Sequence, residues 1–304
     1  MDIILGLAKN VLEEGFIYGI MAVGVYITYQ VLGFPDLSVD GTFPLGACVA
    51  AALILAGVNP WLVCLIVFVC GAAAGCVTGL LHVKLGITDL LSGILVMTGM
   101  WSINLVITNG SAVLPFYNKD TLFTSGPAGA LSGGILDYRV LIVVALCCVL
   151  VKLIIDTYLK TKSGLLLSAS GDNAQFVTSL GQDAGVRKIV GLAVGNGFTA
   201  LSGCILAQQA ESANVASGTG MVVMALASVI IGINLFKKVK FVKATTAVIF
   251  GAIIYKACLT IAMQLGLPTN FLKLLMAVLF TIALVSNNMF AGRRKKQNVN
   301  PTQI

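Results

Sequence analysis

The chain has 304 residues, of which 58% are hydrophobic and only 10% are charged. A soluble domain carries about a quarter charged residues, so this composition excludes a water-facing globule and calls for a bilayer as solvent. The net charge of +7 comes from short basic clusters between apolar runs, not from one basic face, so no nucleic-acid partner is expected.

A membrane-spanning helix needs about 20 mainly apolar residues. Such runs occur at 15–32, 42–57, 60–82, 88–108, 138–159, 188–209, 220–236, 244–265 and 271–290. The reading is an all-α integral membrane protein of about nine transmembrane helices. The polytopic domain covers 1–292, and the basic stretch 293–304 follows as a disordered cytoplasmic tail. The second run is short, bounded by Pro35 and by Asn59-Pro60. Segment 109–137 is polar, holds Pro115 and Pro127, and is read as an external loop with a short surface helix or a partner contact.

The basic clusters set the orientation. With Arg293-Arg294-Lys295-Lys296 placed in the cytoplasm, segments 83–87, 160–187 and 237–243 also fall inside. Of the 19 Lys and Arg residues, Lys9, Lys119, Arg139 and Lys273 fall on the outer side. This agrees with the positive-inside rule. The protein is placed in a bacterial inner membrane with its C-terminus cytoplasmic and Glu13 and Glu14 near the outer surface.

The halves have similar spacing. Ser38-Val39-Asp40-Gly41-Thr42 precedes a short helix in the first, and Ala216-Ser217-Gly218-Thr219-Gly220 precedes one in the second. With five spans between equivalents, spans one to four and six to nine form an inverted repeat, a plan in which interrupted helices lie near a solute path.

Four features carry possible chemistry. In 160–187, Asp172 or Asn173 can N-cap a short helix running to about Leu180, which Gly181 would end. That helix would present Gln175, Phe176 and Ser179, with Gly171 before it. It is either a docking surface for a partner ATPase or an ordinary capped loop. Lys256 lies deep in the eighth span, where a charge is costly and functional by default. A structural role is favoured, the amine either snorkelling outward or pairing with a carboxylate, for which Glu211 is one candidate. Asp36 and Asp40 flank the break between the first two spans, and a carboxylate suits a helix N-terminus. Asn104 and Asn234 lie within spans, either bonding helices together or lining a path.

Dense small residues, Gly71, Gly75 and Gly79 in the third span and Gly191, Gly195, Gly197 and Gly203 in the sixth, indicate close helix packing. The eight cysteines lie in apolar runs and are read as small packing residues. The sequence contains no Gly-rich phosphate loop and no nucleophile or metal constellation, so no catalytic, cofactor or metal residue is assigned.

The run Gly191–Gln209 resembles the permease family of ribose and branched-chain amino-acid importers. So do Ala227-Ser228-Val229-Ile230-Ile231-Gly232 and the stretch Asp36–Phe43. With Gly171-Asp172-Asn173, the chain is most similar to a subgroup paired with aromatic amino-acid binding proteins. The resemblance implies a dimer of permease subunits, two ATPase subunits that bind the ATP and Mg, and an extracytoplasmic solute-binding protein. It also implies that residues 170–182 contact the ATPase. The subgroup usually carries arginine at Lys256, and an acidic residue near Ile233 that is absent here. The expected function is solute import by alternating access. The alternative is an ion-coupled secondary transporter, which needs a buried titratable relay, and Lys256 is the sole mid-span candidate. A membrane enzyme is disfavoured by the missing catalytic cluster.

Overall fold

The computed structural model describes residues 2–126, 138–237, 239, 241–268 and 271–297. Helix α1 covers Asp2–Tyr26 and passes into a π-helical turn, Ile27–Val31. Then come α2 (Val39–Leu55), α3 (Pro60–Val83), α4 (Asp89–Ile107), β1 (Val113–Pro115) and α5 (Arg139–Tyr158). Two short helices follow, α6 (Lys162–Asp172) and α7 (Ala174–Ser179), before α8 (Ala184–Ala210), β2 (Ser212–Asn214) and a 3-10 turn, Val215–Gly218. Helices α9 (Met221–Phe236), α10 (Ala244–Gln264) and α11 (Leu272–Gln297) complete the described chain.

Among the described residues, seven helices are long and apolar enough to cross a bilayer, and Val39–Leu55 and Leu272–Val285 are shorter apolar helices. Each predicted run falls on one of these nine. The first helix begins 13 residues before the predicted start at 15, because its polar opening residues are still helical. The last continues through the basic cluster 293–296 to Gln297, past the predicted boundary at 292. Residues 298–304 of the expected tail lie outside the described residues.

Of the seven longer spans, α1 and α8 are the most enclosed. At about 1.5 Å per residue, the 27 residues of α8 reach about 40 Å, the full depth of the bilayer. Helix α3 lies along it on a stripe of glycines. A Cβ on Gly71 would meet the Ala200 methyl group and the Asn196 carbonyl, one on Gly75 the Leu192 carbonyl, and one on Gly79 the backbone of Ile189. The backbones touch where lipid alone offers no hydrophobic drive. Gly75→Leu is expected to force α3 from α8, costing about 1–3 kcal/mol as overpacking. A lowered melting temperature in detergent checks this.

The outward faces of α3, α4 and α5 carry exposed Leu65, Val69, Leu91, Leu95, Val106, Leu146 and Leu150, as a lipid-contacting surface requires. At one end of the bundle β1 and β2 pair antiparallel, with Leu114 opposite Ala213. The Phe116 N–H donates to the Glu211 carbonyl at 3.0 Å, and the Leu122 N–H to Gln208 Oε1 at 2.7 Å. Residues 109–126 thus supply one strand of the pair and cap α8, and among them no surface helix forms. Residues 127–137 of the predicted loop lie outside the described residues.

Candidate functional site: a polar junction inside the bundle

The π-helical turn and the residues after it break the first span. Asp36 and Ser38 are carried into the interior, at 3% and 0% exposure, against Asn196 of α8, which is also fully enclosed. Asp36 Oδ1 accepts from the Ser38 N–H at 2.8 Å, and Asp36 Oδ2 accepts from Asn196 Nδ2 at 2.6 Å. The Ser38 hydroxyl donates to Asn196 Oδ1 at 3.2 Å. Asn196 Nδ2 also donates to the Leu192 carbonyl at 3.1 Å. The ring of bonds satisfies each group, as burial demands. Glycines beside Asn196 let the chain come this close: a Cβ on Gly195 would meet Gly24 and Thr28.

Asp40, two residues on, reaches the start of α9. Its Oδ1 accepts from the Val222 N–H at 2.8 Å and its Oδ2 from the Gly220 N–H at 3.0 Å. A carboxylate here satisfies the unpaired N–H groups and the positive end of the helix dipole. Gly220 sits at φ +91°, a left-handed conformation that glycine adopts freely. Pro44 has no N–H to bond back to Asp40, and Gly218 packs against that freed carbonyl. Asn104 of α4 closes the far side by donating to the Gly41 carbonyl at 3.2 Å.

The N-termini of α2 and α9 therefore meet inside the bundle. From there α2 runs toward the β1–β2 end, where Ile54 packs with Ala213 and Phe116. Helix α9 runs the other way, to Phe236 against Phe250 near the start of α10. The two interrupted elements thus have the inverted relation expected of the halves.

Of the predicted polar residues, Asp36, Ser38, Asp40 and Asn104 are gathered at this junction. Asn234 is not: it lies half-buried near the opposite end of α9. Lys256 is also elsewhere, in an ion pair with Glu14 of α1 and with its Nζ 5.7 Å from the Tyr18 ring centre. The expected partner Glu211 instead ends α8 at φ +50°. Lys256 is also not the sole deep ionisable group, since Asp36 lies fully inside.

At the opposite end of α8 lie α6 and α7, two helices where the reading of 160–187 placed one. Asn173 is the N-cap of α7 and its Oδ1 accepts from the Phe176 N–H at 3.1 Å. Asp172 ends α6. Gly181 follows α7 at φ +72°, as the predicted helix end required. Gln175, Phe176 and Ser179 are exposed, while Val177 is fully buried and pins α7 to the bundle. Gly171 is different: it packs against the Val31 carbonyl of the π-helical turn, where no Cβ fits. That contact ties α6 to the broken first span.

Asn196 and Asp156 escaped the sequence reading. Asn196 satisfies the same criterion, a polar residue inside an apolar run, that singled out Asn104 and Asn234. Asp156, at the end of α5, accepts from Lys152 Nζ at 3.2 Å, Lys243 Nζ at 2.9 Å and the Thr245 hydroxyl at 2.6 Å. It ties α5 to the start of α10 at the α7 end.

Residues 7–284 match the family described as the permease component of branched-chain amino acid transport systems. The chain is 42% identical over 287 residues to a tyrosine transport system permease protein of Clostridioides difficile, covering 94% of this chain and 93% of that protein. It is 30% identical to an uncharacterized Rickettsia prowazekii protein over 90% of this chain and 95% of that one. It is 26% identical to the Escherichia coli ribose import permease protein RbsC over 73% of this chain and 68% of that protein. No solved structure matches the chain. This multi-pass helical membrane protein is therefore a member of the permease-component family of branched-chain amino acid transport systems.

Proposed function

We propose that the chain forms the translocation path of an ATP-driven importer for an amino acid, with an aromatic one, tyrosine foremost, as the solute. It works as a dimer with two ATPase subunits, which bind ATP and Mg, and with an extracytoplasmic solute-binding protein. Its C-terminus and α7 face the cytoplasm. The solute reading rests on the relative named for tyrosine transport.

The observation that carries the mechanism is α7. It is only six residues long, too short to persist alone in water. It is held by the Asn173 cap and by buried Val177, and it leaves Phe176 and Leu180 more than half exposed. An exposed aromatic on a rigid, anchored helix is the kind of residue that dominates a protein interface. Through α6, whose Gly171 abuts the π-helical turn, a push on α7 reaches the polar junction.

Phe176→Ala tests this in proteoliposomes holding the ATPase and the loaded binding protein. Loss of such an anchor is worth about 2 kcal/mol. Transport should fall by about tenfold or more while basal ATP hydrolysis and the melting temperature hold. Normal coupling in the variant would refute α7 as the docking helix. Uptake that follows an ion gradient with no ATP would instead select a secondary carrier.

A further inference from the structure

At the end of α8 away from α7, a cleft of about 570 Å³ opens between α1 and the last turn of α8. Its lining includes Lys9, Asn10, Glu13 and Glu14 of α1 and Leu206 and Gln209 of α8. The volume suits one small-molecule ligand. Glu13 is 8% exposed, and its Oε2 accepts from Gln209 Nε2 at 3.1 Å. Its Oε1 is buried and accepts no hydrogen bond. Lys9 Nζ stands 3.9 Å from that oxygen, beyond hydrogen-bonding range. A buried carboxylate oxygen left without a donor is costly, and an incoming N–H donor would relieve it.

The charges of the cleft define the ligand. Glu14 is neutralised by Lys256. Among the lining residues that leaves one cation, Lys9, and one anion, Glu13, whose unbonded oxygen faces the Lys9 ammonium at 3.9 Å. The matching ligand is neutral overall but carries both charged groups on one carbon. We propose that this cleft is an entry site for the zwitterion of an α-amino acid, its ammonium on Glu13 Oε1 and its carboxylate on Lys9 and Asn10, with Leu206 against its side chain. This rests on the amino-acid importer reading and gives it a residue-level address.

The test uses the purified permease–ATPase complex in nanodiscs without the binding protein, and radiolabelled L-tyrosine. Wild type should show saturable binding, displaced by unlabelled tyrosine. Tyramine, which lacks the carboxylate, and 3-(4-hydroxyphenyl)propionate, which lacks the ammonium, should displace it at least about tenfold less well. Glu13→Gln should lose about tenfold in affinity and most of its discrimination against the propionate. Lys9→Gln should lose discrimination against tyramine. Lys9 is partly exposed, so that variant decides the matter if Glu13→Gln does not assemble. Unchanged discrimination in the variants, or no binding by a complex that still pumps tyrosine with ATP and its binding protein, would overturn the cleft and leave the importer standing. A complex that pumps no amino acid would overturn the importer reading itself.

Discussion

Asp36→Ala is expected to abolish transport and to destabilise the bundle by about 2–6 kcal/mol. The substitution strips the acceptor from the Ser38 N–H and from one N–H of Asn196. Both donors stay enclosed, and each orphaned buried group costs about 1–3 kcal/mol. Water cannot easily repair the loss, because Ser38 and Asn196 are fully buried. The decisive comparison is an exchange of roles. Asp36→Asn alone sets an amide donor against the Asn196 amide. Asp36→Asn with Asn196→Asp restores a donor facing a carboxylate, whose other oxygen still accepts the Ser38 hydroxyl, while the bond to the Leu192 carbonyl is lost. The double variant should regain part of the melting temperature and measurable uptake, and be more stable than either single variant. If it is as damaged as the singles added together, the three side chains do not act as one unit.

Lys256→Met should lower stability by about 3 kcal/mol. It removes the cation facing Glu14 while the carboxylate remains largely enclosed, at 22% side-chain exposure. The second change, Glu14→Gln, should recover most of that loss, since a neutral pair needs no compensating charge. Lys256→Arg, the residue that the resembling subgroup carries, should stay near wild type. Thermal unfolding of the four proteins in detergent closes the cycle. Additive losses would mean that the two groups do not depend on each other.

The spans were legible in the sequence because a bilayer imposes one requirement, about 20 apolar residues, that soluble folds do not. The short helix at 174–179 was legible too, since Asn173 and Gly181 are local signals that act on their own neighbours. The break at 32–38 could be located from Pro35 and the flanking carboxylates. What closes it could not, because Asn196 lies 160 residues away and becomes its partner only through the glycine contacts of α8. Lys256 shows the same limit. Its depth announced a partner, but the choice between Glu14 and Glu211 depends on α1 packing beside α10, which no local pattern encodes. Gly171 is expected with the docking loop from its local sequence, but its packing on Val31 is a tertiary contact that no local pattern encodes.

The carboxylate of Asp40 belongs by chain to α2 and by hydrogen bonding to α9. These helices leave it in opposite directions, so its two bonds join the halves at a single point. A tilt of either half can turn about this point with both N–H bonds intact, whereas a slide of one half past the other would break them. Rocking about a stationary centre is the motion that exposes an interior first to one side of a membrane and then to the other.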